Sequence, residues 1–294
     1  MLKAHFKSKD QDFVLLQGDV FSILSQFDFK FDMIFADPPY FLSNGGKTIN
    51  SGKIVSVNKG KWDKLQGYKD INAFNKEWLS QVRDKMKDDA TIWISGTLHN
   101  IFSIGQILNE LDYHILNIIT WEKTNPPPNF SCRFFTHSTE FIIWARKKAK
   151  TPHHYNYQLM KELNQGKQMK DVWRMSAINR WEKSCGKHPT QKPLSVLTRL
   201  ILASTKKDAW ILDPFSGSST TGIAANLCNR RFVGIEKEEE YLKLSINRRK
   251  ELDNPLIREK YKSKIHDFNS NEQLDLFLVK EECADYNDLS PNID

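Results

Sequence analysis

The sequence has little that would tie it to a membrane or to an oxidising compartment. Its 294 residues contain no uncharged apolar run near the ~20 residues of a membrane helix, and the N-terminal MLKAHFKSKDQDF lacks the apolar centre of a secretory signal. A cytoplasmic location is therefore expected. Cysteine is scarce: Cys132, Cys185, Cys228 and Cys283 are too scattered for a CxxC zinc or redox motif, and free thiols in a reducing compartment are expected. His153 and His154 are adjacent but have no third ligand at metal-binding spacing, so they read as exposed loop residues and no metal is expected. Basic residues are missing from one end only. Residues 266–294 hold eight acids and a single base, Lys280, for a net charge of −7. The whole chain carries +7, so residues 1–265 carry +14. A body this basic is suited to a polyanion, whereas the acidic tail, with weak periodicity, is expected to be partly disordered.

Apolar periodicity divides the body into alternating strands and helices. Phe13–Leu16, Phe31–Ala36, Thr91–Ser95, His114–Trp121, Phe141–Ala145, Trp210–Leu212 and Arg231–Ile235 read as strands. Val20–Phe27, Ile71–Met86, Ile101–Leu111, Pro193–Ser204, Thr220–Leu227 and Glu239–Leu252 read as helices. This alternation predicts an α/β fold with a doubly wound, mostly parallel, Rossmann-like sheet covered on both faces. Residues 41–62, rich in Gly, Ser, Asn and Lys, read as a mobile loop that could close over a substrate. The alternation lapses between about Lys147 and Lys187, where polar, basic and aromatic residues dominate.

Two loops carry candidate chemistry. Phe31–Ala36 runs into Asp37-Pro38-Pro39-Tyr40, where two prolines forbid further sheet pairing and leave the loop at the carboxyl end of a strand. An exocyclic amine of a nucleobase is a poor nucleophile because its lone pair is delocalised into the ring. A carboxylate and a rigidly aimed backbone carbonyl can accept its two N–H bonds and favour a tetrahedral nitrogen, with Pro38 fixing the carbonyl direction. Tyr40 offers a ring for a base swung out of a duplex. In the second loop, Asp213-Pro214-Phe215-Ser216-Gly217-Ser218-Ser219 lies between a strand and a helix, and Glu236 ends the next strand. Glycine there admits a ligand close to the backbone, and the acid suits a ribose diol. Taken alone, this second pattern is common to many α/β domains.

Taken in order, Asp37-Pro38-Pro39-Tyr40, His188-Pro189-Thr190-Gln191-Lys192-Pro193, Asp213-Pro214-Phe215-Ser216-Gly217-Ser218 and Gly234-Ile235-Glu236 resemble the motif series of the β class of DNA amino-methyltransferases, over roughly residues 12–252. The flanks Phe35–Gly46 and Thr124-Asn125-Pro126 are similar to the GATC-type adenine methylases of DpnII-like restriction-modification systems. The resemblance implies S-adenosylmethionine as cofactor, DNA as partner and methyl transfer to adenine N6. It makes Asp37 the acceptor for the target amine and Tyr40 the stacking platform. It sets Asp213, Phe215, Gly217 and Ser218 beside the cofactor, Glu236 on its ribose and Asp19 on its adenine. Thr190 and Lys192 would lie near its methionine end. Ser219 departs from the pattern, which usually has a second glycine there, and could push the cofactor outward.

Target recognition is expected in the stretch of about 126–187, where Arg133, Arg174, Arg180 and Lys183 are candidates for guanine edges or phosphates. Residues 1–265 would form the methyltransferase domain with this region inserted, and 266–294 the acidic tail. Neither a membrane nor a metal is needed, and a homodimer is left open. The competing readings are a cytosine-N4 methyltransferase, an RNA adenine methylase and a non-catalytic DNA-binding module on the same fold. Asp37, where the cytosine-N4 type usually has Ser, favours adenine.

Overall fold

Six residues in a row, Phe31–Ala36, are almost wholly apolar, which suits a strand buried on both faces by helices. The computed structural model describes residues 3–40, 47–50, 53–56, 70–129 and 132–269. Its strands are β1 (Phe6–Lys7), β2 (Phe13–Gln17), β3 (Phe31–Ala36), β4 (Lys47–Asn50), β5 (Lys53–Ser56), β6 (Met86–Gly96), β7 (His114–Lys123), β8 (Thr139–Arg146), β9 (Val172–Met175), β10 (Trp210–Asp213) and β11 (Arg231–Glu236). Its helices are α1 (Val20–Leu24), α2 (Ile71–Asp84), α3 (Ile101–Glu110), α4 (Tyr157–Leu163), α5 (Leu194–Ser204), α6 (Thr220–Leu227), α7 (Glu239–Glu251), α8 (Pro255–Lys262) and α9 (His266–Asn269).

Nine strands form one sheet in the order β1-β2-β11-β10-β3-β6-β8-β7-β9. The run from β2 to β6 is parallel, β8 is antiparallel to both its neighbours, and β9 pairs parallel with β7. The doubly wound, mostly parallel reading therefore holds. One face packs on α1, α2 and α3 through residues such as Leu24, Trp78 and Ile104. The other packs on α4 to α7 through Leu159, Leu200, Ile223 and Leu242. From β3 the chain proceeds to β6 on one side, and from β10 it proceeds to β11 on the other. The gap between β3 and β10 is thus the topological switch point, where the loops following the two strands meet and where ligands bind in open α/β sheets.

Four expectations change. Within 41–62, β4 and β5 pair antiparallel, with Thr48 opposite Val55, Ile49 opposite Ile54 and Asn50 opposite Lys53; the rest of that loop lies outside the described residues. The 126–187 stretch is not a separate insertion throughout: β9 extends the main sheet beside β7, and α4 buries Leu159, Met160 and Leu163 in the core. His153 and His154 are half-buried rather than exposed, with the His153 ring edge-on to Trp144 at 5.0 Å. The body also runs past residue 265, since Asp267 is buried and pairs with both Nε (2.9 Å) and Nη2 (2.6 Å) of Arg199 on α5. The tail beyond 269 lies outside the described residues. No helix among the described residues is long and apolar enough to cross a membrane.

Candidate active site

β3 ends where Pro38 and Pro39 remove two N–H donors, and the chain lifts out of the sheet at Asp37. Asp37 Oδ2 accepts a hydrogen bond from Lys192 Nζ at 2.6 Å, and Oδ1 accepts one from the Tyr40 hydroxyl at 2.5 Å. The same hydroxyl lies 3.2 Å from Lys192 Nζ and 3.4 Å from Ser95 Oγ at the end of β6. Burial and the adjacent Asp37 charge hold the Tyr40 phenol well above its ordinary value. Burial alone would drive Lys192 towards its neutral form, but Asp37, Tyr40 and Glu140 outweigh it and keep the ammonium charged. Lys192 was expected near the methionine end of the cofactor; in the structure its ammonium is on Asp37.

The second loop is built on buried polar contacts. Asp213 accepts from the Phe215 N–H (3.0 Å) and the Thr221 hydroxyl (2.6 Å), yet burial still raises its carboxyl to about 7. Gly217 has φ +51, and an added Cβ would stand 3.0 Å from Nε2 of His188, so both conformation and space favour glycine. Its N–H donates to Glu236 Oε2 at 2.7 Å, while Glu238 N–H donates to Oε1 at 2.8 Å. Burial pushes the Glu236 carboxyl up, against the pull of these N–H groups. The Lys237 N–H adds a third donor, and the carboxylate still has acceptor capacity for a ligand hydroxyl. Ser219 takes a left-handed conformation (φ 54), which explains why glycine is usual there, but its buried hydroxyl bridges Ser216 (2.7 Å) and Ser245 (2.9 Å). The side chain thus points into the body, where α7 supports the loop.

A cavity of about 390 Å³ opens above the switch point and brings Asp19, Asp37, Thr190, Asp213, Phe215, Gly217, Ser218 and Glu236 together. Asp19 is at its rim, where the carboxylate also caps α1 through Phe21 and Ser22 N–H. Apolar walls from Phe35, Phe74 and Phe215, with a buried carboxylate on one side and a glycine-lined floor, fit a nucleoside cofactor such as S-adenosylmethionine. A second cavity of about 370 Å³ is lined by Tyr40, His137 and Glu140, among others. Thr190, Gln191 and Lys192 border both cavities, and the Asp37–Lys192 pair stands at their junction.

The DNA-contact candidates are more dispersed. Arg133 and Arg180 are exposed, Arg174 is exposed with Nε 3.8 Å from Glu122, and Lys183 is half-buried. Both segments that carry them pass the second cavity, where His137, Ala177 and Ile178 form part of the lining. Several site residues escaped sequence reasoning. Glu140 has Oε1 2.5 Å from Lys123 Nζ and Oε2 3.7 Å from Lys192 Nζ. Glu182 accepts from the Leu194 N–H at 2.7 Å and so fixes the start of α5 behind Lys192. Arg248 donates to the Ser218 carbonyl at 2.6 Å. Their partners are remote in sequence, so no local pattern marks them.

Residues 31–247 match the family model described as "DNA methylase". The chain is 57% identical to the type II methyltransferase M2.MboI of Moraxella bovis over 265 residues, covering 90% of this chain and 97% of that protein. It is 55% identical to the type II methyltransferase M2.DpnII of Streptococcus pneumoniae, covering 80% and 88%. Among solved structures, the M1.HpyAVI–SAM complex aligns with a TM-score of 0.62 at 28% identity, covering 80% of this chain and 98% of that one. The cytosine-N4-specific PvuII DNA methyltransferase aligns with a TM-score of 0.66 over 92% and 96%, but its 18% identity speaks to the fold alone.

Proposed function

Because the chain belongs to the DNA methylase family and is a site-specific, S-adenosylmethionine-dependent DNA methyltransferase, we propose that it methylates adenine N6, in GATC-like sites of a type II restriction-modification system. The observation that carries the adenine reading is the placement of Asp37 at the junction of two cavities, one fit for the cofactor and the other for a base. The target adenine leaves the duplex and enters the second cavity, because its amine is out of reach within the stack. There the Tyr40 ring borders the base, and Asp37 with the Pro38 carbonyl accepts the two N–H bonds of the amine. S-adenosylmethionine, when bound, supplies an electrophilic methyl group from its sulfonium. Glu236 would hold its ribose hydroxyls, Asp19 would contact its adenine, Phe215 and Gly217 would bound it, and Thr190 would lie towards its methionine end. Asp37 would accept the one proton that the amine must shed once it carries the methyl group. Arg133, Arg174, Arg180 and Lys183 provide DNA contacts, with one of them reading a guanine edge.

Asp37→Ala tests this assignment. Turnover is expected to fall by about three orders of magnitude, as for loss of a group used mainly in the transition state, while cofactor binding is retained. Near-normal turnover in the folded variant would refute the role. Modification-sensitive sequencing of DNA from cells expressing the chain decides base and site together; methyl groups on cytosine N4 or outside GATC contradict the corresponding part of the proposal.

A further inference from the structure

Both oxygens of Asp37 already accept a hydrogen bond, one from Lys192 and one from Tyr40. A target amine that develops positive charge next to the Lys192 ammonium would be repelled by it, and would compete with it for the same carboxylate. Lys192 is buried in the wall between the two cavities, and cavity water alone does not give a buried ammonium a counter-charge. A second carboxylate does: Glu140 Oε2 lies 3.7 Å from Nζ, within reach of a small side-chain rotation. Glu140 is itself anchored, since its other oxygen is 2.5 Å from Lys123, whose ammonium lies over the Trp121 ring at 5.4 Å. The cross-strand pairing of Trp121 with Glu140 fixes this anchor to β7 and β8.

We propose that Glu140 is a positioning residue that receives the Lys192 ammonium from Asp37 when the target amine arrives, leaving Asp37 free to accept the amine N–H. The inference rests on the reading of Asp37 as the amine acceptor. Without a target, Lys192 neutralises Asp37 and keeps the half-buried carboxylate paired; with a target, the cation moves to Glu140 and away from the reacting nitrogen. In the structure Lys192 is held as the ammonium, with Asp37, Tyr40 and Glu140 favouring the charged form against burial.

A structure of the protein with a duplex carrying its target adenine and with sinefungin tests the shuttle directly. Lys192 Nζ is expected within about 3 Å of Glu140 and beyond hydrogen-bonding distance from Asp37. Persistence of the Lys192–Asp37 contact with adenine in place overturns the proposal. In solution, Glu140→Gln is expected to lower kcat about tenfold or more at saturating DNA and cofactor, with sinefungin affinity within about twofold of the original and partial recovery in Glu140→Asp. In a Lys192→Gln background the Glu140→Gln change should have no further effect on kcat, because no cation is left to move. An unchanged kcat in Glu140→Gln beside an inactive Asp37→Ala overturns the shuttle but leaves the functional reading intact. An active Asp37→Ala overturns that reading itself. Loss of sinefungin binding in Glu140→Gln would assign Glu140 a structural role instead.

Discussion

Asp213 illustrates how a single buried residue can couple the cofactor loop to pH. Burial raises its carboxyl to about 7 from an ordinary 3.8, although the Phe215 N–H and Thr221 hydroxyl oppose the shift. The folded state therefore keeps a proton that the unfolded state loses. The stabilisation from that proton is complete below about pH 4 and is lost as pH rises through about 7. Asp213→Asn removes this dependence while retaining a group that can accept from Phe215. Urea unfolding is expected to show the original protein losing stability relative to the variant between about pH 4 and 7, by on the order of a few kcal/mol. Parallel stability profiles for the two proteins would mean that Asp213 is ionised throughout. Ser219 makes a related point about residues at a loop: the left-handed conformation that disfavours a side chain is tolerated because its hydroxyl has two buried partners.

At the scale of elements, α6 lies against the sheet so closely that a Cβ on Gly222 would stand 2.4 Å from Phe13 Cε2 and 2.4 Å from Phe232 Cδ1. Helix propensity alone favours alanine there by ~1 kcal/mol. Overpacking against two rings held by the sheet opposes it, at about 1–3 kcal/mol. Gly222→Ala is accordingly expected to destabilise the protein, read as a lower urea midpoint with an unchanged slope; a raised midpoint would show that α6 lifts freely. Because α6 follows the Gly217 loop directly, the same variant should also weaken sinefungin binding. The start of α5 depends on contacts rather than on a cap of its own. Pro193 has no capping side chain, and Glu182, twelve residues before Leu194, accepts the Leu194 N–H instead. That contact orders the segment carrying Gln191 and Lys192 between the cavities.

For the whole molecule, charge decides how DNA is met. The first 265 residues carry +14 and the last 29 carry −7, so the basic body is expected to bind the phosphate backbone through counterion release. The logarithm of DNA affinity should fall linearly with the logarithm of salt concentration, with a slope of about −0.9 for each phosphate neutralised. Fluorescence anisotropy with a labelled duplex from about 50 to 200 mM salt measures that slope. A flat response would mean that the excess positive charge serves solubility rather than DNA. The Arg199–Asp267 pair bears on the same scale, because it joins the beginning of the acidic segment to α5 and so keeps the chain's last described helix on the body.

The sequence by itself determined the parallel strands, the main helices and the two loops that carry chemistry. Their signals are local: Phe31–Ala36 is an apolar run broken only by Asp32, Pro38 and Pro39 must end it, and the Gly217 loop lies between a strand and a helix. Motif order also carried the family, since the residues that bind a common cofactor and amine recur together. The tertiary structure alone decided β9 and α4, short segments of four and seven residues that become ordered by pairing with β7 and packing against the core. It alone placed Lys192 on Asp37, 155 positions apart in the chain, and brought Glu140 within 3.7 Å of the same ammonium. Ion pairs of this kind leave no period or spacing in a sequence. Their geometry is set by which strand ends meet at the switch point, and burial there makes each charge depend on a partner supplied by another element.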